Sequence, residues 1–309
     1  MKRVVVFAAL ISAVMMCFCG CSIGFVSGST VRYDNADKYT AGDREITDKI
    51  DKLDIDWIDG YVKVTTGGST VQIKETTQGD LADKYKVHTW AEGSTLHVRY
   101  CKSGERYNED NEKTLEITVP EDVLYKSINI DSSSADITCE GLSSKKAVMD
   151  ASSGNMTYIG NADSFTADTS SGNISFTGEA KTISADSSSG DIFIEQTGES
   201  GSISTDSSSG DMNITAEYTK SLSIDTSSGK QVIKLEKQAE SISLDSSSGD
   251  VKLYLPENAD FTAEISTSSG DVSYELALKK TGDETYVCGN GENEIIIDTS
   301  SGDVKILKY

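Results

Sequence analysis

The chain has 309 residues, 50 acidic against 28 basic side chains, and a formal charge of −22 with only two histidines. A surface this acidic repels nucleic acid and anionic lipid, leaving divalent cations, basic partners or plain solubility as its uses. Of the six cysteines, Cys101, Cys139 and Cys288 lie beyond the first 21 residues, an odd set with no zinc spacing, so cysteine does not organise the fold.

The first segment, MKRVVVFAALISAVMMCFCGC, has a basic start at Lys2 and Arg3, an apolar run from Val4 to Phe18 too short for a usual membrane span, and a small Gly20 before Cys21. It reads as a secretory signal over 1–20. Its FCGC end matches the pattern in which cleavage exposes a cysteine for lipidation, with Phe18 and Cys19 departing from the preferred residues; Cys21 is the expected lipid site. Loss of Lys2 and Arg3 would take the charge from −22 to −24. Residues 21–46 lack periodicity and are expected to be a tether, with a short helix around Arg44 to Leu53 as an option. Residues 47–125 alternate like strands in LDIDWIDGYVKV, STVQIKE, STLHVRY and TLEITVPEDV. Trp57, Tyr61, Trp90 and Tyr100 are expected in the core of that region, and His88 and His97 on its solvent face.

From residue 126 to 309 the chain repeats. DSSSGD occurs at Asp186, Asp206 and Asp245, with near copies beginning at Asp131, Asp150, Asp168, Asp225, Ser266 and Asp298. Aligned on Ala135 and the glycines at 154, 172, 190, 210, 229, 249, 270 and 302, the spacings are 19, 18, 18, 20, 19, 20, 21 and 32 residues. Apolar residues alternate on both sides of each corner, as in ISAD before it and DIFI after it. A unit this short cannot bury its own apolar face and must stack on its neighbours. The expected fold is all-β: a parallel β-solenoid of about nine coils of 18–21 residues, about 43 Å long at ~4.8 Å per coil. The 32-residue gap before Gly302 is expected to be a hairpin or cap. Pro120 and Pro256 are expected to end strands.

The corner itself admits a structural account: an Asp accepting turn amides, small hydroxyls filling, and a glycine supplying positive φ. Stacking then aligns Asp131, Asp150, Asp168, Asp186, Asp206, Asp225, Asp245 and Asp298 in one column. Neighbouring charges at ~4.8 Å repel by roughly 0.9 kcal/mol in water and ~3.5 kcal/mol at an effective dielectric near 20. Calcium is the natural counter-ion for such a column, although no cofactor is required and the hexapeptide is not a known calcium loop. A second column after the glycine is mixed and contains Lys230 between Asp211 and Asp250. A phosphate loop is excluded because a strand follows the glycine. Nucleophilic and zinc catalysis lack a linked base or ligand set. Tyr107 and Tyr286, in turn-rich inserts, are the candidate contact residues.

The lipoprotein-like start, LDIDWIDGYVKV, LEITVPEDV, the DSSSGD corners and the closing IIIDTSSGDVKI together resemble the bacterial putative-adhesin β-strand-repeat family, a domain of unknown function, over roughly residues 50–309. The resemblance implies a β-solenoid at the bacterial cell surface, in a family with no established enzymatic activity. The expected protein is thus an exported, lipid-anchored, non-catalytic binding or structural module on the extracytoplasmic membrane face. Its partner would be a surface protein, peptide or glycan. The alternatives are an envelope-stress sensor that captures cationic peptides and a carbohydrate-active enzyme on the same scaffold.

Overall fold

The computed structural model describes residues 30–106 and 112–309; the expected signal, Cys21 and Tyr107 lie outside them. All described strands join one continuous hydrogen-bonded system. Each coil has a strand before the corner and a strand after it, and the chain climbs one level per turn, all in parallel register. Ile183, for example, pairs level with Phe165 on one side and Ile203 on the other. Alternate residues point inward, so Ile183, Ala185, Ile192 and Ile194 are buried while Ser184 and Asp186 face out. Burying each such isoleucine side chain stabilises the stack by about 1.5–3 kcal/mol. Where the core widens, Tyr158, Phe165 and Phe176 fill it, with ring centroids 4.8 to 5.9 Å apart.

The coils do not stack in chain order at the ends. The Ser241–Ser246 and Val251–Leu255 strands pair with Asn293–Thr299 and Val304–Lys308, from the last corner of the chain. These in turn carry Phe261–Thr267 and Val272–Tyr274. The Gly270 coil is therefore outermost, and Gly302 slips between it and Gly249. The opposite end mirrors this arrangement. Lys52–Trp57 and Tyr61–Thr66 sit between the Ala135 coil and the outer strands Thr95–Arg99 and Lys113–Val119. Eleven levels result among the described residues, rather than nine, and the N-terminal region is part of the stack. A terminal coil laid over its predecessor needs a longer connection, which is what the 32-residue gap supplies.

Antiparallel segments close the ends. Thr285–Cys288 lies along Phe261–Glu264, and His88–Glu92 lies along Thr95–Arg99, covering edges that would otherwise pair with other chains. The option of a helix near Arg44 is not realised: Arg44–Ile46 is a strand paired with Val71–Ile73. Nor do residues 30–46 behave as a free tether, since Val31 is buried and the Tyr33 hydroxyl donates to the Cys101 carbonyl at 2.9 Å. Strands end at Val119 and Leu255, immediately before Pro120 and Pro256. Cys101, Cys139 and Cys288 are free and buried.

The corners hold together differently from the sequence expectation. The Asp that opens the motif does not cap the turn; the next hydroxyl does. Ser187 Oγ accepts the Gly190 N–H at 2.8 Å, Ser207 that of Gly210 at 2.9 Å and Ser246 that of Gly249 at 2.8 Å. Thr169, Thr226, Thr267 and Thr299 do the same. The corner glycines have no left-handed φ either. They are needed because a Cβ at any of them would stand 1.7 to 2.0 Å from a backbone carbonyl oxygen of the adjacent coil. The reason for glycine is close approach of backbones, not turn geometry.

Candidate functional site

Outside the first corner the carboxylates form one unbroken line. Asp56 pairs level with Asp131, Asp131 with Asp150, Asp150 with Asp168 and Asp168 with Asp186. The line continues through Asp206, Asp225, Asp245 and Asp298. Arg99 stands level with Asp56 at one end, and Ser266 with Asp298 at the other. The departure of Ser266 from the motif thus marks the outermost coil, where the column stops. Partial burial pushes Asp150 and Asp186 up to about 6, and the flanking aspartates add to the rise. Asp131, Asp206 and Asp245 are raised for the same reasons. A groove of about 220 Å³ runs beside the line, lined by Asp168, Asp186, Asp206 and the corner serines.

Next to the aspartates on the same face run two columns of hydroxyls. Ser164, Thr182, Ser202, Ser221 and Ser241 form one, and Thr166, Ser184, Ser204, Ser223 and Ser243 the other. The second acidic column, after the glycine, is tied internally. Asp191 Oδ1 accepts the Asp211 N–H at 2.8 Å, Asp211 Oδ1 that of Lys230 at 2.8 Å, and Asp136 Oδ1 that of Asn155 at 2.8 Å. Lys230 therefore joins through its backbone. Ion pairs between coils gather instead at the second bend: Lys181–Asp163 at 2.7 Å, Lys237–Glu217 at 2.8 Å and Lys220–Glu240 at 3.4 Å. Lysines thus pair with carboxylates of adjacent coils at the second bend, whereas among the described residues no lysine or arginine pairs with the aspartates from Asp131 to Asp298.

The expected calcium ligands do not converge. Among the described residues no three His, Cys, Asp or Glu side chains could hold a metal ion together. Asp131 through Asp298 form a line, one carboxylate per level, rather than a cage, which fits a diffuse cation atmosphere better than an enclosed site.

Tyr286 is not an open loop residue: it is 6 % exposed, on a strand, edge-on to Tyr274 at 5.9 Å. Its hairpin is anchored by Asp260, whose carboxylate accepts the backbone N–H groups of Asn290, Gly291 and Glu292 at 2.6 to 3.0 Å. Trp57 and Tyr100 are in the core as expected, but Tyr61 is 48 % exposed. Trp90 is on the strand His88–Glu92 with its ring half-buried rather than in the core, stacked on that of its cross-strand partner His97 at 5.2 Å. His97 does point outward, yet it is covered, with Nδ1 2.5 Å from Asp54 Oδ2. His88 is buried, and that burial lowers its pKa. The period-two pattern identifies the outward positions but not what folds over them.

Sequence reasoning also missed Lys113, a fully buried lysine whose Nζ lies 2.8 Å from Glu75 Oε1 and 4.1 Å from the Tyr100 ring centre. It donates to the Tyr100 carbonyl at 2.6 Å and to that of Tyr85. The only hint was a charged residue at an inward position of TLEITV's strand.

Stacked parallel coils with a continuous apolar core and repeated glycine corners define a β-solenoid-like repeat protein. Residues 50–307 match the family profile described as Toastrack DUF4097, and the chain belongs to that family. No curated protein matches the sequence. Among solved structures it is similar to a "putative adhesin" from Parabacteroides distasonis ATCC 8503, with 12% identity, a TM-score of 0.48, and 87% of this chain and 97% of that one covered. A "putative adhesin" from Bacteroides fragilis NCTC 9343 shows 14% identity and a TM-score of 0.40 over 85% and 95% of the two chains. A "putative lipid binding protein" from Parabacteroides distasonis ATCC 8503 shows 15% identity and a TM-score of 0.38 over 87% and 97%.

Proposed function

We propose that this protein is a lipid-anchored, non-catalytic binding module on the extracytoplasmic face of the membrane, and that its aspartate edge receives a basic peptide or protein surface. The observation that carries this reading is the contrast between the two long edges. Coil-to-coil ion pairs occupy the second bend, while among the described residues the line from Asp131 to Asp298 has no ion pair, Arg99 standing beyond its end, level with Asp56. A rigid row of charges at ~4.8 Å spacing attracts an extended polycation with little ordering of its own. A non-catalytic role is supported by the linear, repetitive placement of the acidic groups, which positions no acid against a base or nucleophile.

The test is binding of an oligolysine peptide by the full chain in detergent. Binding that weakens steeply with salt and is lost when Asp186, Asp206 and Asp225 become Asn supports the reading. Binding indifferent to those substitutions overturns the assigned surface. Attachment is tested separately: Cys21→Ala should abolish incorporation of a labelled fatty acid and release the protein from the membrane fraction. Retention of the label would reject Cys21 as the lipid site.

A further inference from the structure

Three lysines that take no part in the ion pairs between coils share one outward face of the stack. The strands Gln231–Leu235, Val251–Leu255 and Val304–Lys308, each following a corner, lie side by side in parallel register. Their outward residues alternate in kind: Val232 and Lys234 on the first, Lys252 and Tyr254 on the second, Lys305 and Leu307 on the third. Lys252 is level with Lys305, so two ammonium stems start one strand spacing, ~4.8 Å, apart. Like charges placed opposite each other in this way are unfavourable. Among the described residues none of the three lysines forms an ion pair, and Lys234 Nζ lies 5.8 Å from the Tyr254 ring centre. The carboxylates beside them are held by backbone instead. Asp250 Oδ1 accepts the Asp303 N–H and Asp303 Oδ1 that of Asp271, both at 3.0 Å. The flanking levels offer Asn213 and Thr215 on one side and Ser273 on the other, all uncharged. A basic, partly apolar patch thus stands on a chain whose formal charge is −22.

We propose, resting on the reading of the aspartate line as a receiver of basic surfaces, that this patch docks on the line of a second copy of the chain. Charge complementarity and a shared spacing carry the pairing. Patch and line are both columns of the same stack and rise by the same step per level. With the axes of two copies aligned, Lys252 and Lys305 stand one step apart, as do the gaps between Asp168 and Asp186 and between Asp186 and Asp206. The groove of about 220 Å³ beside these aspartates receives the two ammonium groups, with Ser188 and Ser208 as further acceptors along it. Docking places opposite charges between groups that repel one another on each surface alone. Val232, Tyr254 and Leu307 lie among the lysine stems and give the contact apolar area that excludes water. The net charge of two copies opposes their approach, but at physiological salt the Debye length of ~8 Å confines that repulsion to short range. Patch and line are different surfaces, so the contact is heterologous and can pass from copy to copy.

Sedimentation velocity of the full chain tests this, in neutral detergent with micelles in large excess over chains. At about 0.15 M salt the sedimentation coefficient should rise as the protein approaches about 0.1 mM, and return to the single-copy value at about 1 M salt or on adding oligolysine. Lys252→Glu with Lys305→Glu should weaken association about tenfold or more, and so should Asp186→Lys with Asp206→Lys. An equimolar mixture of these two variants should associate again, because each offers the other a surface of opposite charge. Variants that had merely lost their fold would not recover on mixing. A natural chain that stays single throughout, association that survives the lysine changes, or a mixture that does not recover overturns the pairing of patch and line. Binding of a single-copy natural chain to phosphatidylglycerol vesicles, lost in Lys252→Glu with Lys305→Glu, would overturn it in favour of a membrane. Oligolysine binding by the natural chain, measured alongside, separates the two readings. Binding without self-association leaves the aspartate line standing and removes only its partnership with the patch, whereas loss of both removes both.

Discussion

The carbonyl oxygen of Gly172 lies 1.8 Å from where a Cβ on Gly190 would sit, although Gly190 has an ordinary φ. Gly190→Ala must push two coils apart, and the displacement passes to Gly210, itself stacked on Gly190. The expected loss is at least about 1–3 kcal/mol, the usual range for overpacking. Gly79→Ala, at a position with nothing within 4 Å, should stay within about 0.5 kcal/mol of the natural protein. Urea midpoints of the two variants check the contrast.

The aspartate edge makes stability depend on pH in an unusual direction. Asp150 and Asp186, raised to about 6, bind protons more tightly folded than unfolded. Their charges therefore oppose folding above about pH 6, and the opposition fades as pH falls toward the ordinary carboxylate value near 4. Asp54 acts oppositely: burial would raise it, but the His97 hydrogen bond and the Arg99 charge overcome this and hold it at about 2. Its contribution is lost only as pH falls below about 4. Thermal stability should peak between about pH 4 and 6 and decline toward neutrality. Asp150→Asn with Asp186→Asn should raise the melting temperature at about pH 7.5 and flatten that decline; solvent screening keeps the gain near 1 kcal/mol or less per site.

Lys113 and Glu75 are both buried, with side chains 2 % and 6 % exposed. Lys113→Met leaves the carboxylate without its cation and should cost about 3–5 kcal/mol. Adding Glu75→Leu should recover much of that loss, since an apolar pair removes both desolvated charges. A double-mutant cycle by urea unfolding measures the coupling, and additive losses would show that the two side chains act independently.

Asp260→Ala should free the 289–292 turn without unfolding the stack, because among the described residues the carboxylate it removes serves amides of that turn and the Asn290 side chain. Those hydrogen bonds, led by that from Glu292, hold the Asp260 pKa below its usual value. The anchor therefore persists above the ordinary carboxylate range and loosens as pH falls through the lowered one. Faster proteolysis between Cys288 and Asn293, with an unchanged melting temperature, is the expected outcome.

Periodicity made much of this legible in advance. Inward Ile183 and outward Asp186 follow from alternation, and one aspartate per coil makes a column in any parallel stack, so that line could be drawn before the fold was seen. The corner DSSSGD is a steric necessity, as its ninefold recurrence suggested, but the capping group is Ser187 rather than Asp186. Both are small acceptors at a turn, and only the backbone path decides which of them points inward.

The sequence by itself determined the coil length, the strand alternation, the glycine corner and the acidic column, because each depends on residues a few positions apart. The tertiary structure alone decided that Gly302 slips between Gly249 and Gly270, that His97 lies under Tyr39 and Trp90, and that Lys113 meets Glu75. Those contacts join segments separated by tens of residues at the two ends of the stack. There the repeat no longer supplies a neighbour on both sides, and packing against irregular chain sets the geometry.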